Sequence, residues 1–118
     1  MRIAMPRGDL RLVRFLINEL DGVATDIDFT DIYFTVKKSA RDQAFLFQKK
    51  LSDEKIMKLG LGDYQVKIEP KDTNELGYGN YKFDIQLVWR DELGEEQLKE
   101  TTVGDFVITE EITFVTNE

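Results

Sequence analysis

Residues 81–89 alternate between two kinds of side chain, and this pattern constrains the fold more than any other feature of the sequence. The odd positions hold Tyr81, Phe83, Ile85, Leu87 and Trp89, and the even positions hold Lys82, Asp84, Gln86 and Val88. Because successive side chains of a β-strand point to opposite faces, the segment predicts a strand with one face on a core and one in water. Such a half-polar strand is typical of an antiparallel sheet.

Shorter segments repeat this alternation elsewhere in the chain, around residues 32–37 and 64–69. Short apolar or β-branched runs at 45–47 and 107–109 are further strand candidates. Glycine-rich or polar turn sequences separate these segments at 60–63, 77–80 and 91–94, and the last is short enough to connect a β-hairpin. Short strands at regular spacing predict an all-β, antiparallel sandwich or barrel.

One helical turn is expected after the strand at 64–69. Asp72 followed by Glu75 has the spacing of a capping box, which predicts that the helix begins at Asp72. Pro70 is expected to close the preceding strand, and Gly77 to end the helix after about one turn.

Two segments are ambiguous from their apolar spacing. Residues 10–20 carry apolar residues at helical spacing, but their β-branched and aromatic content favours a strand, which is the interpretation adopted here. Residues 52–59 fit either a short helix or an edge strand through Ile56 and Met57.

The composition leaves few routes to catalysis. The 118 residues are the length of one domain, predicted to span residues 1–118, and they include no His and no Cys. Ser39 and Ser52 are the only serines, so a hydroxyl nucleophile lacks a histidine base. The sequence therefore predicts a protein that is not an enzyme and that uses no cofactor, metal or small-molecule substrate.

Three motifs allow both a functional interpretation and a purely structural one. Four aspartates in the region 21–31 offer oxygen ligands for calcium, although aspartates also favour turns; they are Asp21, Asp26, Asp28 and Asp31. The tripeptide Arg7-Gly8-Asp9 matches a motif read by some cell-surface receptors, and also fits a bend before a strand. Tyr78 lies between two glycines and is a candidate exposed contact residue.

Charge is distributed unevenly along the chain, whose net charge is -7. Residues 1–58 hold 11 basic and 9 acidic side chains, whereas residues 59–118 hold 5 basic and 14 acidic ones. The acidic balance argues against a general nucleic-acid partner. The four candidate interface residues, expected to join copies head to tail in a homo-oligomer, are Arg11, Arg14, Glu95 and Glu96.

No targeting or membrane segment is visible in the sequence. The first residues lack an apolar stretch of the length of a signal peptide, and no window approaches the roughly 18 apolar residues that span a bilayer. No membrane partner is therefore expected. The chain is expected to remain in the cytoplasm unless it leaves as part of a larger particle.

Five segments form an ordered series along the chain: Ile32–Lys38, Phe47–Lys49, Val66–Thr73, Tyr78–Gln86 and Phe106–Thr113. This series resembles small proteins encoded in prophage tail and baseplate regions of Gram-positive bacteria. It is also similar to the amino-terminal domain of phage baseplate upper proteins, and the resemblance covers about residues 7–115.

The resemblance implies an immunoglobulin-like β-sandwich of about seven strands and a structural role in a tail or baseplate. It supplies no catalytic residues. The partners it implies are other phage structural proteins or further copies of the chain, located in the host cytoplasm during assembly and then in the virion. The alternative function left open by the sequence is a carbohydrate-binding module that recognises cell-wall glycan through an exposed aromatic such as Tyr78.

Overall fold

The computed structural model describes residues 1–110, which form eight strands and one short helix. The strands are β1 (Arg2–Pro6), β2 (Arg11–Leu16), β3 (Asp31–Lys37), β4 (Phe47–Lys50), β5 (Ile56–Gly60), β6 (Asp63–Ile68), β7 (Gly79–Arg90) and β8 (Glu96–Thr109). The helix α1 (Pro70–Thr73) connects β6 to β7. No helix in this described part of the chain is long and apolar enough to cross a membrane.

The strands form two sheets, which confirms the predicted all-β sandwich. One sheet has the order β1-β8-β7-β3-β4, and the other has the order β2-β6-β5. The strands follow the immunoglobulin order along the chain. β2 and β3 take the places of strands B and C, β5 and β6 those of D and E, and β7 and β8 those of F and G. All pairs are antiparallel except β1 and β8, which are parallel and depart from the prediction.

The predicted alternation of residues 81–89 places one face of β7 in the core. Phe83, Ile85 and Leu87 are buried, and Tyr81 and Trp89 pack against the same cluster from its margin. The Phe83 ring stacks on Phe34 of β3 with 5.3 Å between ring centroids. The core side of the fold was therefore readable from period-two spacing alone.

Two local features fix β7 against its neighbours. The Tyr81 hydroxyl donates a hydrogen bond of 2.8 Å to the carbonyl oxygen of Gly77, four residues upstream. This is the tyrosine corner of immunoglobulin-like sandwiches, at the start of the sixth of the seven common strands. On the neighbouring strand, a Cβ at Gly104 would lie 2.7 Å from the Phe83 ring, so the glycine lets the ring fill the core.

The prediction for the helix was wrong about where it begins and ends. Glu69 is the N-cap, Pro70 occupies the first turn, and Asp72 is the third helical residue, whose carboxylate accepts a hydrogen bond from the Glu69 backbone N–H. Proline is favoured at this first position because its missing N–H would be unpaired there in any case. The helix ends at Thr73 and not at Gly77, because Asn74 is already its C-cap.

The ambiguous segments are both strands. Residues 10–20 contain β2, as predicted, and the edge-strand alternative for 52–59 is confirmed by β5. The hairpin expected at 91–94 connects β7 to β8, and the segment at 45–47 contributes only Phe47, to β4. Of the last segment that carries the resemblance, residues 111–113 lie outside the described residues.

A buried ion cluster attaches β4 to α1. The Lys49 ammonium lies 2.7 Å from a carboxylate oxygen of Asp72 and 3.2 Å from one of Glu69, and the Lys49 side chain is only 5% exposed. The hydrogen bond from Lys49 is the main cause that lowers the pKa of Glu69 below its ordinary value. Because the lysine is shielded from water, its two carboxylate partners replace the lost hydration.

Candidate interaction surface

Arg14, one of the predicted interface residues, lies on β2 and is already bound within its own chain. Its guanidinium donates two hydrogen bonds to the Asp63 carboxylate on β6, at 2.8 and 2.5 Å. These bonds hold the pKa of Asp63 below its ordinary value. The Arg14 side chain is still 62% exposed, so the ion pair remains accessible at the surface.

The other three predicted residues lie at the two ends of the sandwich. Arg11 begins β2 and donates a weak hydrogen bond of 3.4 Å to the Ala4 carbonyl oxygen of β1. Glu95 and Glu96 lie at the β7–β8 hairpin, where Glu96 is 4.0 Å from Arg90. Within one molecule the structure therefore separates the basic and acidic pairs rather than joining them. The predicted contact between copies remains a prediction.

Among residues 1–110, two strand edges lack a strand partner on the same side of the sandwich. β2 is the outermost strand of its sheet, and no strand within this range pairs with its outer edge. In the other sheet, β1 pairs with β8 at Asp105–Thr109, and no described strand pairs with the same edge of β8 at Glu96–Gly104. Unpaired edges expose backbone N–H and C=O groups that can extend a sheet with another chain.

A cleft of about 540 Å³ separates these two edges. Its walls include Phe15 of β2, Ile17 just after the end of β2, and Ile85 of β7. Of the described residues that line it, Arg14 and Lys99 have charged side chains, and both are basic. We call the edge of β2, the edge at Glu96–Gly104 and this cleft the open side.

Large apolar side chains are exposed on the outer faces of both edge strands. Leu12 and Leu16 of β2 are 52% and 63% exposed, and Leu98 and Val103 of β8 are 63% and 50% exposed. Sequence reasoning missed them. The available signal was that residues 10–20 are apolar at both strand and helical spacing, which for a strand means apolar side chains on both faces. Grouped exposed apolar residues mark interaction sites.

The Arg7-Gly8-Asp9 motif and Tyr78 meet at the end of the sandwich that carries α1. The Arg7 guanidinium lies over the Tyr78 ring, 4.5 Å from its centroid, and donates a hydrogen bond of 3.1 Å to the Tyr78 hydroxyl. Gly8 has a φ of 80° and donates its N–H to Thr73. Arg7 therefore covers one face of Tyr78, although that side chain is 48% exposed.

The four aspartates considered for calcium do not converge. Asp21 accepts a hydrogen bond from the Val23 backbone, Asp31 accepts two from Ser52, and exposed Asp28 is 3.6 Å from the Lys58 ammonium. In the part of the chain that the structure describes, no three acidic residues form a group able to hold a metal ion. A local turn, hydrogen bonds to Ser52 and an ion pair thus involve Asp21, Asp31 and Asp28 respectively.

Removal of divalent cations is expected to leave the melting temperature unchanged. All-oxygen ligands are the only ones that this chain offers, because it has neither His nor Cys. The measurement is a thermal melt followed by circular dichroism, with and without EDTA. A fall of several degrees that calcium restores, and magnesium does not, would contradict the prediction.

Comparison of the chain with models of known protein families gives no match, and no curated protein is significantly similar to it in sequence.

Proposed function

We propose that the chain is a non-enzymatic structural protein of a phage or prophage tail or baseplate, acting through protein–protein contacts. The observation that carries this proposal is the open side, where two strand edges that no strand within residues 1–110 covers lie beside exposed apolar side chains. Strand edges of this kind are used for binding by sheet extension, and proteins that remain alone usually protect them. The resemblance of the segments between residues 7 and 115 supports the location in a tail or baseplate.

The composition supports the non-enzymatic part of the proposal. The sequence holds no histidine for proton transfer and no cysteine nucleophile. The proposed location follows from the same role, with the chain in the host cytoplasm during assembly and in the virion afterwards.

The alternative, a carbohydrate-binding module, depends on an aromatic ring free to stack on a sugar. Arg7 lies over one face of the Tyr78 ring, which favours the contact role over the sugar-binding role for this residue. A binding assay on purified cell-wall glycan distinguishes the two functions. Retention of the protein on glycan, and its loss in Tyr78→Ala, would favour the alternative.

The genes that flank the coding sequence provide a direct test of the proposed function. Tail, baseplate, holin or endolysin genes on either side are the expected result. A neighbourhood of unrelated metabolic genes in every genome that carries the sequence would contradict it.

A further inference from the structure

The cleft of the open side continues into a second cavity between the two sheets. The cleft has a volume of about 540 Å³ and the second cavity one of about 290 Å³, and Ile17, Asn18 and Lys99 line both. The second cavity extends the apolar lining to Phe29 and Trp89, whose rings are 6.1 Å apart. We call the two cavities together the groove. Its walls are mostly apolar, and Lys99 lies where its two parts meet.

The core-facing side of β8 changes from apolar to charged along the strand. Near the end of β8 this side carries Phe106 and Ile108, which are buried. Along the groove, Lys99 lies directly opposite Leu87, a core residue of β7, so the lysine side chain points to the same inner face. Lys99 is nevertheless exposed, and none of the described acidic side chains forms an ion pair with it.

This lysine decides which kind of strand can join the edge of β8 at the groove. An inward-pointing charge on an edge strand disfavours indiscriminate pairing, because a purely apolar partner would bury the ammonium group without a counter-charge. An incoming segment that carries acidic groups beside its apolar residues supplies that counter-charge. Arg14, also in the groove, is already paired with Asp63, and Glu19 lines the second cavity. Lys99 is therefore the cation that an acidic segment would meet.

Residues 111–118 of the sequence have this chemistry. They include Ile112, Phe114 and Val115 among threonines, all of them residue types that favour strands, and they hold two glutamates and no basic residue. We propose that residues 111–118 of a second copy of this chain occupy the groove, with Phe114 against its apolar wall and an acidic side chain near Lys99. This inference rests on the proposed function, because it names the partner of the open side.

Distance requires that the segment come from another copy. β8 ends at Thr109, ten residues beyond Lys99, which corresponds to about 34 Å at the rise of an antiparallel strand. Phe114 follows Thr109 by five residues and reaches at most about 18 Å from it, even when fully extended. The contact therefore joins the end of β8 in one copy to the groove of the next. Such a head-to-tail contact closes into a ring or continues as a filament.

A peptide titration tests the occupant, because Trp89 lines the groove and is the only tryptophan of the chain. The receptor is the full chain with Phe114→Asp, which disables its own segment, and the titrant is a synthetic peptide of residues 110–118. We expect a saturable change in tryptophan emission. Phe114→Asp in the peptide is expected to weaken binding at least about tenfold, because an apolar ring is no longer buried.

A peptide with Thr113→Asp is the matched control, since neighbouring side chains of a strand point to opposite faces. It adds the same charge and is expected to bind within about threefold of the natural peptide. Equal weakening by the two substitutions would overturn the placement of Phe114 in the groove. Absence of any binding would overturn the proposal.

Substitutions in the receptor test the role of the groove cation. Lys99→Glu is expected to weaken binding of the natural peptide at least about tenfold, because it places like charges together. Lys38→Glu makes the same change at an exposed lysine that does not line the groove, and it is expected to leave the affinity unchanged. Equal affinities of the two receptors would overturn the contact at Lys99.

Sedimentation analysis of the unmodified protein gives the last readout. We expect association that increases with concentration and that Phe114→Asp weakens at least about tenfold. A monomer at every concentration, or association that Phe114→Asp leaves unchanged, overturns the inference; recovery of the chain in tail particles would then still support the proposed function. Absence of the chain from tail particles, with the association intact, contradicts the proposed function alone.

Discussion

Phe83→Ala is expected to lower the free energy of unfolding by about 3–5 kcal/mol, the usual loss for an aromatic side chain removed from a packed core. Phe83 is 1% exposed and stacks on Phe34 at 5.3 Å. Gly104 on β8 lies so close that an added Cβ would be 2.7 Å from the ring, and it has no side chain with which to fill the space left by the substitution. Two strands therefore lose packing together. Urea denaturation followed by tryptophan fluorescence measures the effect.

Gln86→Ala is the matched control, because Gln86 lies on the same strand and faces away from the core. Its expected effect is within about 0.5 kcal/mol, as for most substitutions at the surface. Equal losses in the two variants would mean that the two faces of β7 are not distinct, which would contradict the sandwich core described above.

Lys49→Met is expected to destabilise the protein by about 3 kcal/mol, at the lower end of the range for removing one partner of a buried ion pair. The substitution leaves the carboxylates of Glu69 and Asp72 without their shared cation, while Glu69 keeps a more distant partner in Lys55, at 3.7 Å. Asp72 also accepts the capping bond from Glu69, so the helix is affected together with the ion cluster. The same urea denaturation at neutral pH measures the loss.

Lys50→Met serves as the control for charge removal on β4. Its ammonium lies over the Tyr33 ring at 5.5 Å on the outer face, so we expect a loss of at most about 1 kcal/mol. If Lys49→Met were no more destabilising than Lys50→Met, the buried cluster would not contribute to stability.

The effect of Lys49→Met also depends on pH. Lys49 lowers the pKa of Glu69 from its ordinary value of 4.5, so the stabilisation is complete above pH 4.5 and is lost as pH falls through the lowered pKa. The difference in stability between the wild type and Lys49→Met should therefore narrow in acid. If the difference in stability between the two proteins widened below pH 4.5, the predicted direction of the pH dependence would be wrong.

Local patterns predicted those elements whose structure is determined by their own segment of the sequence. The nine-residue alternation of β7 fixes both the strand and its buried face, because the period of two leaves no other assignment. β1 was not predicted, because Arg2–Pro6 is short and β8, its partner among the described residues, is distant in sequence. The start of α1 was misplaced because Asp72 is favourable both as an N-cap and at the third helical position.

The sequence identified single residues of the candidate site, but it did not show how they are arranged on one surface. The sequence drew attention to Arg14, yet its partner Asp63 is 49 residues away and is brought beside it only by the pairing of β2 with β6. Whether a strand has a free edge depends on the order of the sheet, which no local pattern encodes. The apolar residues of the outer face of β2 were visible in the sequence, but together with the buried ones they matched the spacing of an amphipathic helix.

Mass spectrometry of purified tail particles is the most direct test of the central claim that this chain is a structural component of such particles. Particles are induced from the bacterium that encodes the chain, purified by density, and compared with the soluble lysate. The account predicts that the chain is recovered in the particles at a constant ratio to the tail proteins. Its recovery only among the soluble proteins of the lysate, with complete particles present, would contradict the proposed function.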